Sequence, residues 1–199
     1  MVQIRSLGAL ALAAALAAGC GGDSGNDAEP KSQAGGAGGA SRQKSRTLAE
    51  AVGQSADLGQ FNRAAEAAGL GQVLRGGSYT LFAPVNAAFD RLPEESRNRL
   101  MAEEGREQLR QLLAYHMVPG VVTVEDIGRA IQRGQGRAVM ATTSGGTLTF
   151  SREGETLFVT DAAGGRARVS QPDQIQTNGV VHHIDAVLMP AGSEPAAAE

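Results

Sequence analysis

Three histidines, two pairs of glutamates and one acidic-aliphatic triplet are the residues of this chain whose types and spacing suggest chemistry. His182 and His183 invite a metal reading, because imidazole is a common zinc ligand. Neighbouring strand residues face opposite sides, however, so two such rings do not readily chelate one ion, and the spacing signals no third ligand. The pattern instead predicts His182 in a core and His183 on an outer face, where it is a candidate for interaction. His116 follows Leu109 by seven positions and shares its helix face, which turns a neutral imidazole inward to satisfy buried backbone groups. Glu94-Glu95 and Glu103-Glu104 are surrounded by Arg97, Arg99, Arg106 and Arg110 on a helical stretch, the composition of a solvated face. No Gly-x-Ser-x-Gly elbow, phosphate loop or Cys/His nucleophile pair occurs, so the sequence predicts neither an enzyme nor a cofactor.

The elements that position these residues follow from periodicity. Ser55 is placed to cap a helix carrying Leu58, Phe61, Ala65 and Ala68, which Gly69 stops. Tyr79–Ala83 reads as a short strand ended by Pro84, followed by a helical turn through Ala87, Ala88 and Phe89. Pro93 to Met117 is charged and helical, with Leu109, Leu112 and Leu113 on one face, until Pro119-Gly120 breaks it. Thr123 to Arg133 reads as another helix, which Thr123 caps, with Glu125 and Asp126 in its first turn and Ile127 buried. Beyond Gly134 the period becomes two: Leu148 and Phe150 alternate with threonine, and Arg152–Glu155 turns the chain into Thr156–Thr160 as a hairpin. A last strand runs from Val180 to Met189. Helices followed by strands indicate an α+β fold.

The N-terminus sets the compartment. Arg5, an apolar run from Leu7 to Ala18 and small residues before Cys20 form the three-part pattern of an export signal. The run falls short of the roughly 20 apolar residues that span a bilayer. Ala17-Ala18-Gly19-Cys20 resembles the lipobox of bacterial lipoproteins, which implies cleavage after residue 19 and lipidation of Cys20. Cys20 is the sole cysteine, so an internal disulfide is excluded. Two or three acyl chains make anchoring stable. Residues 20–45 are rich in Gly, Ala and Ser and are expected to form a disordered tether, residues 46–190 the folded unit, and residues 191–199 a polar tail. Within 199 residues at 42% hydrophobic content there is room for one core. The net charge of -3, with no basic block, argues against a nucleic-acid partner.

Thr80-Leu81-Phe82-Ala83-Pro84-Val85-Asn86-Ala87-Ala88-Phe89 resembles the first signature block of fasciclin domains. Leu113-Ala114-Tyr115-His116 is similar to their central motif, and Asn178 through Pro190 to their closing block. The resemblance implies a wedge-shaped β-sandwich with helices packed around it. It also implies a part for Tyr115 and His116 in folding and, in animal relatives, in adhesive surfaces. Asp126-Ile127 is similar to the Asp-Ile motif through which some animal fasciclin domains engage integrins. Two positions depart from the pattern: Val85 replaces a hydroxyl residue, which leaves Asn86 to cap the following turn, and His183 replaces an apolar one. The expectation is a non-catalytic adhesion or interaction module held by lipid at the bacterial envelope, periplasmic or at the cell surface, with an unidentified protein or glycan partner. Carriage of a small apolar ligand such as a carotenoid and a purely structural spacer are the alternatives. Two Tyr, five Phe and no Trp argue weakly against carriage.

Overall fold

The computed structural model describes residues 46–190. The expected signal sequence, Cys20, the tether and the tail all lie outside these residues.

Helices dominate the first half. Thr47 caps α1 (Leu48–Gln54) in a reciprocal box with Glu50. A 3-10 turn (Ala56–Leu58) leads into α2 (Gly59–Ala67), which buries Phe61, Ala64 and Ala65. Ser55 makes no side-chain cap here, contrary to expectation. The N-terminus of α2 is served from a distance instead, because Asn86 Oδ1 accepts from Gln60 N at 2.9 Å. Its other end closes as the sequence predicts: Gly69, at φ 71°, and Leu70 donate back to the carbonyls of Glu66 and Ala65. That pairing requires a left-handed residue, which glycine supplies without strain. After α3 (Gly71–Gly76) come β1 (Tyr79–Pro84) and α4 (Asn86–Asp90). Asn86 does not cap α4, which starts after Val85 without a side-chain cap, because its amide is committed to Gln60 and Ala56.

The charged stretch expected to be helical from Pro93 to Met117 is divided. It forms α5 (Glu94–Met101), a 3-10 turn at Glu103–Gly105, α6 (Arg106–Tyr115) and a three-residue strand, β2 (Met117–Pro119). The capped helix α7 (Val124–Arg133) follows as expected. Then come β3 (Arg137–Ala141), the hairpin strands β4 (Thr147–Glu153) and β5 (Thr156–Thr160), the long β6 (Arg166–Gln176) and β7 (Gly179–Ile184). β7 stops five residues before the predicted Met189. β2, β3 and β6 have no counterpart in the sequence periodicity; Pro172 and two register shifts interrupt the alternation of β6.

These strands form one mixed sheet in the order β2-β1-β7-β6-β5-β4-β3, with β1 and β7 parallel. Gly179 is required where they meet, since a Cβ there would lie 1.9 Å from the Tyr79 carbonyl oxygen. β6 joins two halves: Arg166–Arg168 pairs with β5 and Val169–Gln176 pairs with β7. In a flat sheet β1 and β4 would stand about 19 Å apart, four strand spacings. Yet the rings of Phe82 and Phe150 lie 5.1 Å apart, so the sheet folds over on itself at the bulged β6. The result is the expected α+β sandwich. One core fills the fold between the two halves around Phe82, Tyr115, Phe150 and Ile184. A second lies between the other face of β1/β7 and the helices, around Leu48, Phe61, Leu81, Leu109 and Val181.

This layering corrects the reading of His183. Every residue of β7 is buried, and His183 is 1% exposed, because its face of the strand is roofed by the helical layer and not by water.

Candidate interaction surface

The polar residues singled out in the sequence act chiefly as clamps. His116, 1% exposed, ends α6; its Nδ1 lies 2.8 Å from the Leu112 carbonyl and its Nε2 accepts from Leu188 N at 3.0 Å. A carbonyl only accepts and an amide only donates, so the ring is neutral with its proton on Nδ1. Burial holds its pKa down at about 4. Tyr115 is fully buried; its hydroxyl donates to the Thr147 carbonyl and accepts from Ala162 N, joining α6 to the start of β4 and to the turn that follows β5. Burial raises the pKa of this phenol.

His182 stacks on Phe82 at 5.1 Å, and its two nitrogens bridge separate segments. Nε2 donates to the Val122 carbonyl at 2.9 Å, and Nδ1 accepts from Asp173 N at 3.1 Å. Asp173 occupies a left-handed conformation, φ 54°, in the β6 bulge, and its Oδ1 accepts from Val124 N at the start of α7. Thr80 completes the corner, donating to the Gly120 carbonyl and accepting from Val122 N, both at 2.8 Å. The chain before α7 is thereby fixed to β1, β6 and β7 together. His182 and His183 face opposite sides as predicted, and among the described residues no group of three or more metal-ligating side chains converges.

Of the five residues expected to take part in interaction, burial withdraws four from direct contact. Tyr115 and Ile127 are 0% exposed and His116 and His183 1%. Ile127 faces the core because it lies on the inner side of the amphipathic α7. Asp126 alone reaches the surface. Thr123 and Asp126 form a capping box, in which Asp126 Oδ2 accepts from the Thr123 hydroxyl at 2.7 Å and from its amide at 3.1 Å. Those bonds, then Arg129, lower the Asp126 pKa to about 2, so the carboxylate stays charged. Its other oxygen faces Arg129, which also pairs with Glu125 at 3.5 Å.

What the sequence reading missed is apolar. Val121 is 54% exposed and Ile175 60%. Ile175 pairs with Val180, which pairs with Thr80, whose hydroxyl holds the residues on either side of Val121. Register partners share a sheet face, so Ile175 stands two strand spacings, about 10 Å, from the Thr80 backbone and on the side that the Val121 loop covers. Asp173 joins this loop to the start of α7 through Val124 N, and Glu125 and Asp126 follow in the first turn of that helix. Pro119-Gly120 was the one local signal of a loop that displays its next residue.

No helix among the described residues is long and apolar enough to cross a membrane. The model of the fasciclin domain matches residues 56–190. Protein sll1483 of Synechocystis is 32% identical over 72% of this chain and 73% of its own length. Transforming growth factor-beta-induced protein ig-h3 of Sus scrofa is 35% identical over 64% of this chain, which spans only 17% of that protein. Periostin of Homo sapiens is 33% identical over 67% of this chain, matching 15% of periostin. A FAS1 domain pair from the insect cell adhesion molecule Fasciclin I superposes with a TM-score of 0.64 at 16% identity, covering 72% of this chain and 51% of that one, a likeness of fold. With its signature residues serving as the clamps of this folded-over sheet, the chain belongs to the fasciclin domain family.

Proposed function

We propose that the domain is a non-catalytic interaction module that binds a protein or glycan through the corner of Val121, Ile175 and the start of α7. A lipid on Cys20 would hold it at the bacterial envelope, outside the cytoplasm. The observation that carries this reading is the pair of exposed apolar side chains, Val121 on the loop fixed by Thr80, His182 and Asp173, and Ile175 on β6. A surface that is already rigid loses little entropy on binding. The apolar pair supplies area that rewards desolvation, and the acidic rim of Glu125, Asp126 and Asp173 supplies orientation. Adhesion-related relatives agree with this class of function.

Immobilised protein exposed to envelope and matrix extract is expected to retain a saturable partner, and the Val121→Glu, Ile175→Glu variant to lose it while keeping its circular dichroism spectrum. Equal capture by both would move the site elsewhere. The absence of any saturable partner would leave the structural spacer as the better account. For the anchor, Cys20→Ala is expected to release the chain from the membrane fraction; continued membrane association would remove the lipid from the proposal.

A further inference from the structure

A pocket of about 250 Å³ lies among α2, α4, α5 and α6, apart from the corner described above. Phe89, Leu92 and Leu109 form its apolar lining and belong to the helix-covered core. Its cover is α5, which has no buried residue of its own; Leu100 is partly buried against the core and Met101 is 45% exposed. The helix therefore roofs the pocket without filling it. Apolar side chains around such a space face water, and an apolar ligand that displaces it removes that surface from water.

The charge of the lining is one-sided. Arg63 and Arg97 line the pocket, and no carboxylate does. Arg97 lies 3.7 Å from Asp90, whose same oxygen also accepts from Gln60 Nε2. Arg63 makes no ion pair among the described residues. A guanidinium carries five donors in a fork that fits a carboxylate, so both side chains keep donors free. This cationic rim stands on a chain whose net charge is -3.

We propose that this pocket binds a small amphipathic carboxylate, its apolar body against Phe89, Leu92 and Leu109 and its carboxylate at Arg63 and Arg97. At about 30 Å³ per water-sized group, the volume holds about eight non-hydrogen groups. That accommodates the apolar body of a medium-chain fatty acid or of a monocyclic aromatic acid, with the carboxylate itself at the rim. A polar group at the rim and an apolar interior are the usual division of a small-molecule site.

The test is a titration of the full chain with octanoate and, separately, with 1-octanol, followed by amide chemical shifts. Saturable shifts centred on Arg63, Phe89 and Met101 are expected, with octanoate binding about tenfold more tightly than the alcohol. Arg63→Gln, Arg97→Gln is expected to abolish that preference while leaving octanol binding unchanged, which separates loss of charge from loss of fold. Equal binding of acid and alcohol to the wild-type chain would overturn the proposal, as would shifts centred elsewhere or no saturation. None of these outcomes bears on the Val121–Ile175 corner, which shares no residue with the pocket.

Discussion

His182 and His183 are consecutive, equally hidden from water, and differently treated by the fold. His182 faces the interior of the folded-over sheet, where the loop before α7 and the β6 bulge each offer one backbone group to its ring. His183 faces the helical layer, and neither of its ring nitrogens has a hydrogen-bond partner. Burial lowers the pKa of both rings; Asp57 opposes the shift at His183, as Val122 and then Asp173 do at His182. Helices satisfy their own backbone groups internally and leave little for a side chain to bond. Loops and bulges leave carbonyls and amides over, and a buried imidazole becomes useful there. A buried polar residue therefore acts as a clamp on the loop-rich side and is dispensable on the helical side.

The strongest way to break this comparison is His116→Ala, the clamp at the end of α6. It leaves the Leu112 carbonyl and the Leu188 amide unpaired and opens a cavity, and is expected to cost about 4 kcal/mol in urea denaturation. A loss below about 1 kcal/mol would show that the clamp carries no weight. Acid should act on the same group. The unfolded chain takes up a proton on this histidine near pH 6.5, the folded chain only near 4, so the unfolded state binds more protons between those values. The stability that neutral His116 contributes is complete above pH 6.5, falls by about 3 kcal/mol as the pH drops toward 4, and levels off below. His116→Gln should flatten this slope in a series of urea midpoints, and an unchanged slope would assign it to other groups.

A matched pair sharpens the comparison further. His182→Leu is expected to destabilise by about 2 kcal/mol, because the Val122 carbonyl and the Asp173 amide lose their partner. His183→Leu removes two orphaned nitrogens from an apolar site and is expected to stabilise by up to about 1 kcal/mol. Equal destabilisation by both would mean that shape alone, not hydrogen bonding, keeps these rings. At the Val121–Ile175 corner, the glutamate substitutions should leave stability nearly unchanged, since both side chains are already in water.

Local rules made much of this fold legible. Gly69, the Thr123 cap, the β4–β5 hairpin and the strand ended by Pro84 each answer to neighbours within a few residues, and the structure keeps them. Asn86 and Ser55 show where local rules stop: the sequence predicts a nearby side-chain cap from each, yet Asn86 serves a helix 26 residues away and the Ser55 side chain serves none. β6 shows no period of two in the sequence because its bulge breaks the alternation, and the same bulge folds the sheet and places Asp173 beside α7.

Of the candidate site, the sequence by itself determined Asp126, an acid in the first turn of a capped helix. It also determined that adjacent histidines face opposite ways, since alternation along a strand is a property of the backbone alone. Only the tertiary structure decided what covers each face. Whether a side chain meets helix, strand or water depends on segments distant in the chain. His183 thus lies buried while Val121 and Ile175, as apolar as any core residue, stand in solvent.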